Sequence, residues 1–256
     1  MKKIIKVQSN LEGKIVSPLI LSVNDLSVNA RRILLLCSSM IENNDPVDTL
    51  YSFTFDEYSA IYGLGTAKIH SKLKEALYEL KNKEILLPNE LGKINSCLDY
   101  ADIKNCCVQV VFNNVIFNLF KHCTEYTYPL TDISGLRSAY SYKLFELFLY
   151  KFLINRKKKI EWVVGIDWLR MWLNHEDNYK NNADFCKRVI YPAINEINNI
   201  QLIDEHGNTS SNNLYIEVTD IRDNRKITYL KFKINNKINF VIAEFNERMK
   251  CSTIKK

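Results

Sequence analysis

Apolar residues in the first half of the chain recur with helical spacing in some segments and with strand spacing in others. Residues 22–41 are predicted to hold a helix, with Ser27 or Asp25 as its N-cap. A strand-like run precedes a short helix that Gly63 ends and a second helix that Thr66 caps. Three further strand-like runs complete this half, at residues 83–88, 97–103 and 106–113.

The second half repeats this order of elements. Residues 134–152 are apolar almost all round on a helix, which is typical of a helix buried at the centre of a domain. A basic loop and short strand at 156–164 lead to a short helix at 165–175 and then to the helix "NNADFCKRVIYPAINEINN" at 181–199. Two alternating runs predict a closing β-hairpin, with strands at 214–220 and 226–234.

Helix, strand, helix, turn, helix and β-hairpin is the order of a winged helix-turn-helix. Because this order occurs twice without detectable identity between the halves, the sequence predicts an α+β fold of two tandem winged helix-turn-helix domains. We expect an N-terminal domain at 1–125, a C-terminal domain at 126–240 and a tail at 241–256. In the second hairpin, Asn224 tolerates the left-handed conformation that a tight turn requires.

The helix at 181–199 carries Pro192 in its middle, where a proline costs about 3 kcal/mol in a helix interior. The missing hydrogen bond would have reached the carbonyl of Arg188 on the outer face, where water can hydrate that oxygen. We therefore expect a kink at Pro192. Residues before it would lie in a DNA groove, and residues 193–198 would pack on the core.

The charge is distributed unevenly along the 256-residue chain. Residues 1–120 contain 13 basic and 13 acidic residues, whereas residues 121–256 contain 22 basic and 16 acidic residues. The whole net charge of +6 therefore lies in the second half, which favours a polyanion partner there. The alternative is that the excess positive charge serves only solubility and has no partner.

The sequence offers little support for catalysis. The four histidines are isolated from one another, and the seven cysteines show no CxxC pair or zinc-site spacing, so they are expected to be free thiols in a reducing compartment. Cys106 and Cys107 are predicted to lie in one strand. "HED" at 175–177 could be a metal-site fragment, although a polar loop explains it better. We expect no enzyme activity, metal or cofactor. No signal peptide or membrane span is recognisable, which predicts a cytoplasmic protein without membrane contact.

DNA recognition is the chemistry that the exposed residue types favour, because arginine pairs with guanine, asparagine with adenine and lysine with guanine or phosphate. The candidates at the second-half helix are Lys180, Asn181, Asn182, Asp184, Lys187, Arg188 and Tyr191. The candidates at the hairpin tip are Arg222, Arg225 and Lys226. In the first half, Lys68, Ser71 and Lys74 form a weaker candidate face, since Glu75 lies among them and repels phosphate. A solvated helix face with an Asp184–Arg188 ion pair is the alternative, as is a solvated loop for the basic run at 156–159.

Two motifs resemble the initiator Rep proteins of theta-replicating, iteron-bearing bacterial plasmids. The first motif consists of Leu136, Ser138, Tyr140, Leu144, Phe145 and Glu146. The second consists of Tyr179, Phe185, Lys187, Arg188, Val189, Pro192, Ala193, Ile194, Glu196, Ile197 and Asn198. Lys143 stands where arginine is usual, and the wing has Asn224 in place of the common glycine.

The resemblance implies two winged helices and a non-enzymatic initiator that binds origin repeats on double-stranded DNA. It also implies opening of an AT-rich region, recruitment of the host replication initiator and helicase, dimerisation through the first domain in equilibrium with monomer, and repression of its own promoter. Two alternatives remain, a tandem winged-helix transcriptional regulator and a rolling-circle nickase. The nickase is disfavoured because the sequence lacks a metal-holding histidine pair beside a tyrosine nucleophile.

Overall fold

The computed structural model describes residues 2–4, 11–88, 92–124, 126–155, 157, 159–175, 178–203, 209–211 and 214–236. Within these ranges the chain has the predicted α+β architecture, in which each half contains helices packed on a small sheet. The tail at 241–256 lies outside the described residues. No helix in the described ranges is long and apolar enough to cross a membrane.

Residues 2–134 contain eight strands and six helices within the described ranges. The strands are β1 (Lys2–Ile4), β2 (Glu12–Ile15), β3 (Leu50–Thr54), β4 (Ile85–Leu86), β5 (Lys93–Ile94), β6 (Leu98–Lys104), β7 (Cys107–Phe112) and β8 (Tyr126–Pro129). The helices are α1 (Ser17–Ile20), α2 (Val28–Ser39), α3 (Phe55–Tyr62), α4 (Ile69–Asn82), α5 (Asn114–His122) and α6 (Thr131–Ser134). The main sheet has the order β1-β3-β7-β6, and β4 pairs with β5 while β2 pairs with β8.

Local sequence signals account for most helix ends in this half. Ser27, the first of the two predicted caps, accepts a hydrogen bond from the backbone N–H of Ala30. Gly63 ends α3 in the left-handed conformation, with a φ of 55°. The prediction that Thr66 caps α4 is wrong, because the N-cap is Lys68, which has a φ of 60° and no side-chain cap bond.

The prediction that Cys106 and Cys107 lie in one strand is also wrong. Cys106 lies in the turn between β6 and β7 with a φ of 58°, directly after Asn105 with a φ of 51°. β7 begins at Cys107. Two successive left-handed residues make a tight hairpin turn, so the vicinal cysteines do not continue the strand alternation.

The second half contains the elements that form the DNA-binding candidate. The helices are α7 (Ala139–Asn155), α8 (Ile166–Trp172), α9 (Asn182–Phe185) and α10 (Tyr191–Asn198), and a π-helical turn (Cys186–Ile190) joins the last two. The strands are β9 (Lys159–Gly165), β10 (Gln201–Ile203), β11 (Thr209–Ser211), β12 (Leu214–Asp223) and β13 (Lys226–Asn236). β12, β13 and β9 form one antiparallel sheet in that order, and β10 pairs with β11 in a small hairpin that the sequence did not predict.

Helix α7 lies at the centre of the molecule and contacts both halves. Its charged residues Lys143 and Glu146 are only 4% and 9% exposed. The Lys143 ammonium nitrogen donates to the backbone oxygens of Asn24 at 3.1 Å and Trp172 at 2.6 Å. Trp172 in turn donates its indole N–H to the oxygen of Ile20 at 2.9 Å. The end of α8 is therefore fastened to the first half through buried hydrogen bonds.

A second set of buried bonds fastens α2 to α7. Arg32 donates to the hydroxyl of Tyr142 at 2.9 Å and to the backbone oxygen of Leu136 at 2.8 Å. The guanidinium also lies over the Tyr62 ring, 4.9 Å from its centroid. The expected boundary between residues 125 and 126 falls at the start of β8, which pairs with the N-terminal strand β2.

Candidate nucleic-acid interface

Helices α8, α9 and α10 form a helix-turn-helix, and β12 and β13 form its wing. The inner face of the recognition helix (residues 182–198, comprising α9, the π-helical turn and α10) is buried as the spacing predicts. Its buried residues are Phe185, Cys186, Val189, Ile190, Ala193, Ile194 and Ile197. This burial leaves the opposite face of the recognition helix to solvent.

Two of the residues predicted to contact DNA form hydrogen bonds within the protein at the start of the recognition helix. Asn181 is the N-cap, and its side chain accepts from the backbone N–H of Asp184 at 2.8 Å. The Asn182 oxygen accepts from Arg170 at 2.9 Å, and its amide nitrogen donates to the backbone oxygen of Ile227 at 2.8 Å. Asn182 therefore ties the recognition helix to both α8 and the wing strand β13.

Arg170 on α8 organises the turn that leads into the recognition helix. Besides Asn182, it donates to the backbone oxygens of Tyr179 at 2.9 Å and His175 at 3.4 Å. Its guanidinium lies 6.0 Å from the centroid of the Phe185 ring. Sequence reasoning missed Arg170, although a lone arginine within the apolar run of α8 is a recognisable signal of a half-buried structural cation.

The outer face of the recognition helix presents basic side chains. Lys180 and Lys187 are exposed, and the Arg188 side chain is 68% exposed. The Arg188 guanidinium lies 2.9 Å from the Asp184 carboxylate, one helical turn earlier. The ion pair considered as the alternative is thus present, and at this exposure it contributes at most about 1 kcal/mol, so a phosphate or base can replace it.

The π-helical turn accounts for the proline. The backbone N–H of Tyr191 bonds to the oxygen of Cys186, five residues earlier. α10 then begins at Tyr191, and Pro192 lies in its first turn, at a position that needs no backbone donor. Pro192 is exposed. The irregularity therefore lies in the turn before Pro192, and Ala193, Ile194 and Ile197 beyond it are buried.

The wing turn lies at residues 223–226, inside the predicted tip. Asn224 adopts the expected left-handed conformation with a φ of 55°. Arg222, Arg225 and Lys226 are all exposed. Both hairpin strands extend further than the alternating runs indicated, and a bulge between Ile221 and Arg222 interrupts their pairing.

Side-chain bonds join the recognition helix to strand β12 at two points. The Asn198 side chain exchanges two hydrogen bonds with the backbone N–H and oxygen of Ile216, both at 2.8 Å. The Tyr191 hydroxyl donates to the Asp220 carboxylate at 2.5 Å. Burial, and then this bond, raise the pKa of Tyr191, so the hydroxyl keeps its proton. The recognition helix and wing are consequently held as one body.

In the first half, α4 exposes the candidate residues Lys68, Ser71 and Lys74 as predicted. Ser71 donates to Glu75 at 2.9 Å, so the acidic side chain lies within the candidate face. Glu75 therefore offsets one of the two lysine charges of this face.

The candidate metal-site fragment "HED" begins at His175, after the end of α8. No group of three or more His, Cys, Asp or Glu residues in the described part of the chain could hold a metal ion. Nε2 of His175 lies 2.6 Å from the Tyr140 hydroxyl and Nδ1 lies 2.7 Å from the Asn178 amide, so both ring nitrogens have partners. The other two residues of the "HED" fragment, 176 and 177, lie outside the described residues, as do 156 and 158 of the basic run.

Comparison with known proteins places the chain among replication initiators. The family model described as "Initiator Replication protein, WH1" matches residues 17–149, and the one described as "Initiator Rep protein, WH2" matches residues 165–234. A replication initiation protein of Escherichia coli is 23% identical over 231 residues, which cover 86% of this chain and 72% of that protein.

A solved structure shares the fold. The Pi initiator protein in complex with iteron DNA has a TM-score of 0.67 at 18% identity, over 90% of this chain and 99% of that chain. Domains 2 and 3 of RctB have a TM-score of 0.49 at 10% identity, over 82% of this chain and 81% of that chain, which is too low to bear on the assignment. The two family models together span most of the chain and confirm the resemblance seen in its motifs. The chain therefore belongs to the initiator replication protein family, with a WH1 winged helix followed by a WH2 winged helix.

Proposed function

We propose that this protein initiates replication of a bacterial plasmid by binding repeated sequences on double-stranded DNA at the origin. The observation that carries the proposal is the basic outer face of the WH2 recognition helix, where Lys187 and Arg188 lie opposite a fully buried inner face. Basic side chains on a rigid helix of this kind suit the major groove. The structural relative described as the Pi initiator in complex with iteron DNA supports the same reading.

In this proposal the recognition helix reads bases and the wing holds the backbone. Lys187 and Arg188 contact base edges or nearby phosphates, while Lys180 and Asn181 lie at the start of the helix. Arg222, Arg225 and Lys226 reach phosphate or the minor groove from the wing. Asn182, Asp184 and Tyr191 act mainly by fixing these groups, because each already has an intramolecular partner.

We propose different roles for the two domains. The C-terminal domain, residues 126–240, supplies the main DNA contact, since the excess positive charge lies in that half. The N-terminal domain, residues 1–125, supplies a weaker contact through Lys68, Ser71 and Lys74 and mediates a homodimer in equilibrium with monomer. Opening of an AT-rich region and recruitment of the host replication initiator and helicase then follow, without enzyme activity of its own.

Footprinting on the DNA that flanks the gene tests the proposal. We expect protection of several direct repeats beside an AT-rich stretch, and a weaker site at the gene's own promoter if the protein represses it. Protection of a single inverted repeat would instead identify a tandem winged-helix regulator. Metal-dependent strand cleavage in the same mixtures would indicate a rolling-circle nickase and would overturn the non-enzymatic proposal.

A further inference from the structure

Asp220 occupies an inward-facing position of the wing strand β12. Inward residues along this strand are Leu214, Ile216, Val218 and then Asp220, so a carboxylate stands where the alternation would place an apolar residue. Its side chain is only 23% exposed. A carboxylate so placed needs hydrogen-bond partners to offset its partial desolvation.

The two partners of Asp220 come from the two DNA-facing elements. One carboxylate oxygen accepts from the Tyr191 hydroxyl of the recognition helix at 2.5 Å. The other accepts from the Arg222 guanidinium of the wing at 2.8 Å. Residues two apart on a strand lie on the same face, so Arg222 lies beside Asp220. Tyr191, Asp220 and Arg222 thus form one hydrogen-bonded chain, the relay, that runs from the recognition helix to the wing.

We propose that Asp220 is a positioning residue that couples the recognition helix to the wing and raises the preference of the protein for its origin repeat over unrelated DNA. This inference rests on the proposed function. A wing arginine that is free to pair with any phosphate adds affinity for every sequence. An arginine held by Asp220 has less attraction for the phosphates of unrelated DNA. It is also held in one geometry, which is set by the position of Tyr191 in the groove.

The matched control is Asp223, three residues further along the wing. Its carboxylate accepts from the Asn224 side chain at 3.3 Å and forms no ion pair within the described residues. Asp220→Asn and Asp223→Asn remove the same charge from the same strand, but only the first releases Arg222. A difference between the two variants therefore reports the relay and not the general electrostatics of the wing.

The experiment measures binding of a duplex carrying the footprinted repeat and of a scrambled duplex across a salt series. We expect Asp220→Asn to lower the ratio of the two affinities about tenfold and to steepen the salt dependence for scrambled DNA by about one released counterion. Asp223→Asn is expected to change the ratio less than twofold. In an Arg222→Ala background, Asp220→Asn should also change it less than twofold. Asp220→Glu keeps both partners within reach and is expected to retain most of the preference.

Two results would overturn the inference. Equal effects of Asp220→Asn and Asp223→Asn would mean that only charge matters. A full loss of preference from Asp220→Asn in the Arg222→Ala background would mean that Asp220 contacts DNA itself. If the wild-type protein shows no preference for the repeat, the proposed function fails instead.

A measurement without DNA tests the relay even if the wild-type protein shows no preference for the repeat. The shifts in urea midpoint caused by Tyr191→Phe and Asp220→Ala should not add in the double variant, because both changes remove the hydrogen bond between these two side chains. The shifts caused by Tyr191→Phe and Asp223→Ala should add. Additive shifts in both pairs would also overturn the relay.

Discussion

The carboxylate of Glu196, on the last turn of the recognition helix, accepts a hydrogen bond from the backbone N–H of Arg137 at 2.6 Å. The same carboxylate accepts from the N–H of Ser138 at 3.2 Å and from the Ser141 hydroxyl. These donors lie at the start of α7, where N–H groups lack partners within the helix and the helix dipole favours a negative charge. The recognition helix is thus fastened at its far end to the central helix of the molecule.

Loss of this contact is expected to destabilise the protein. Glu196→Ala leaves two backbone donors without their acceptor, and we expect a loss of about 1–3 kcal/mol in unfolding free energy, as for a charged helix cap. Urea denaturation measures it. Glu217→Ala, at an exposed position of β12, is the control and should change stability by at most about 0.5 kcal/mol. Equal stability of the two variants would show that the contact at α7 contributes nothing.

Lys143 predicts a pH dependence of stability. Burial, and next the charge of Arg31, hold the pKa of Lys143 well below its ordinary value of 10.5. The unfolded chain therefore binds more protons between the folded and ordinary pKa values, and stability rises with pH in that window, by at most about 1.4 kcal/mol per pH unit. Lys143→Met has no such proton, so the stability of wild type relative to this variant should grow as pH rises toward 10.5.

Urea unfolding at several pH values between 7 and 10 measures that difference, because titrations shared by both proteins cancel. Lys233→Met, at an exposed position of β13, controls for the removal of a lysine. At any pH, Lys143→Met also leaves the Asn24 and Trp172 oxygens without their donor, which we expect to cost about 1–3 kcal/mol for each unsatisfied group. A relative stability that falls with pH would contradict the depressed pKa.

Periodicity in the sequence was enough to predict the two winged helices and the buried faces of their helices. Phe185, Val189 and Ile197 are inward because helical spacing alone decides which side of an amphipathic helix faces the core. Asn224 was predictable because the left-handed conformation is a local property of one residue.

Periodicity could not show which polar residues form hydrogen bonds with distant parts of the chain and which contact DNA or solvent. Asn182, Glu196 and Asn198 look like DNA readers or solvated residues in the sequence, yet each bonds a distant backbone group. The π-helical turn at Cys186–Ile190 was also not predicted, since the sequence pointed only to a kink at Pro192. Thr66 failed as a cap because the chain enters α4 through a left-handed Lys68.

Asn182→Ala should separate a structural role from base reading. The variant removes the amide donor to the Ile227 oxygen and the acceptor of one Arg170 N–H, so we expect a stability loss of about 1–3 kcal/mol and an affinity loss that is equal for all DNA sequences. Denaturation and binding to repeat variants measure the two effects. Asn181→Ser is the comparison, because serine keeps the capping oxygen while removing the amide. A relaxed preference at one base pair without loss of stability would assign base reading to Asn182.

Arg188→Ala is expected to lose about 1–3 kcal/mol of binding free energy at one base position, as for a bidentate arginine–guanine contact. Competition with duplexes mutated at each position of the repeat locates that position. Asp184→Asn is the companion variant, because it frees Arg188 from its ion pair and should not weaken binding. If Arg188→Ala weakens binding to every duplex equally, Arg188 contacts phosphate only.

Charge reversal should weaken binding more in WH2 than in WH1. The WH1 pair is Lys68→Glu with Lys74→Glu, and the WH2 pair is Lys187→Glu with Arg188→Glu. Both pairs change the net charge by the same amount, so long-range electrostatics should be similar and the difference reports direct contact. Glu75 already offsets the WH1 face, while Lys187 and Arg188 lie on the helix proposed to enter the groove. Affinities measured across a salt series test this, and an equal or larger loss from the WH1 pair would refute the proposed division between the domains.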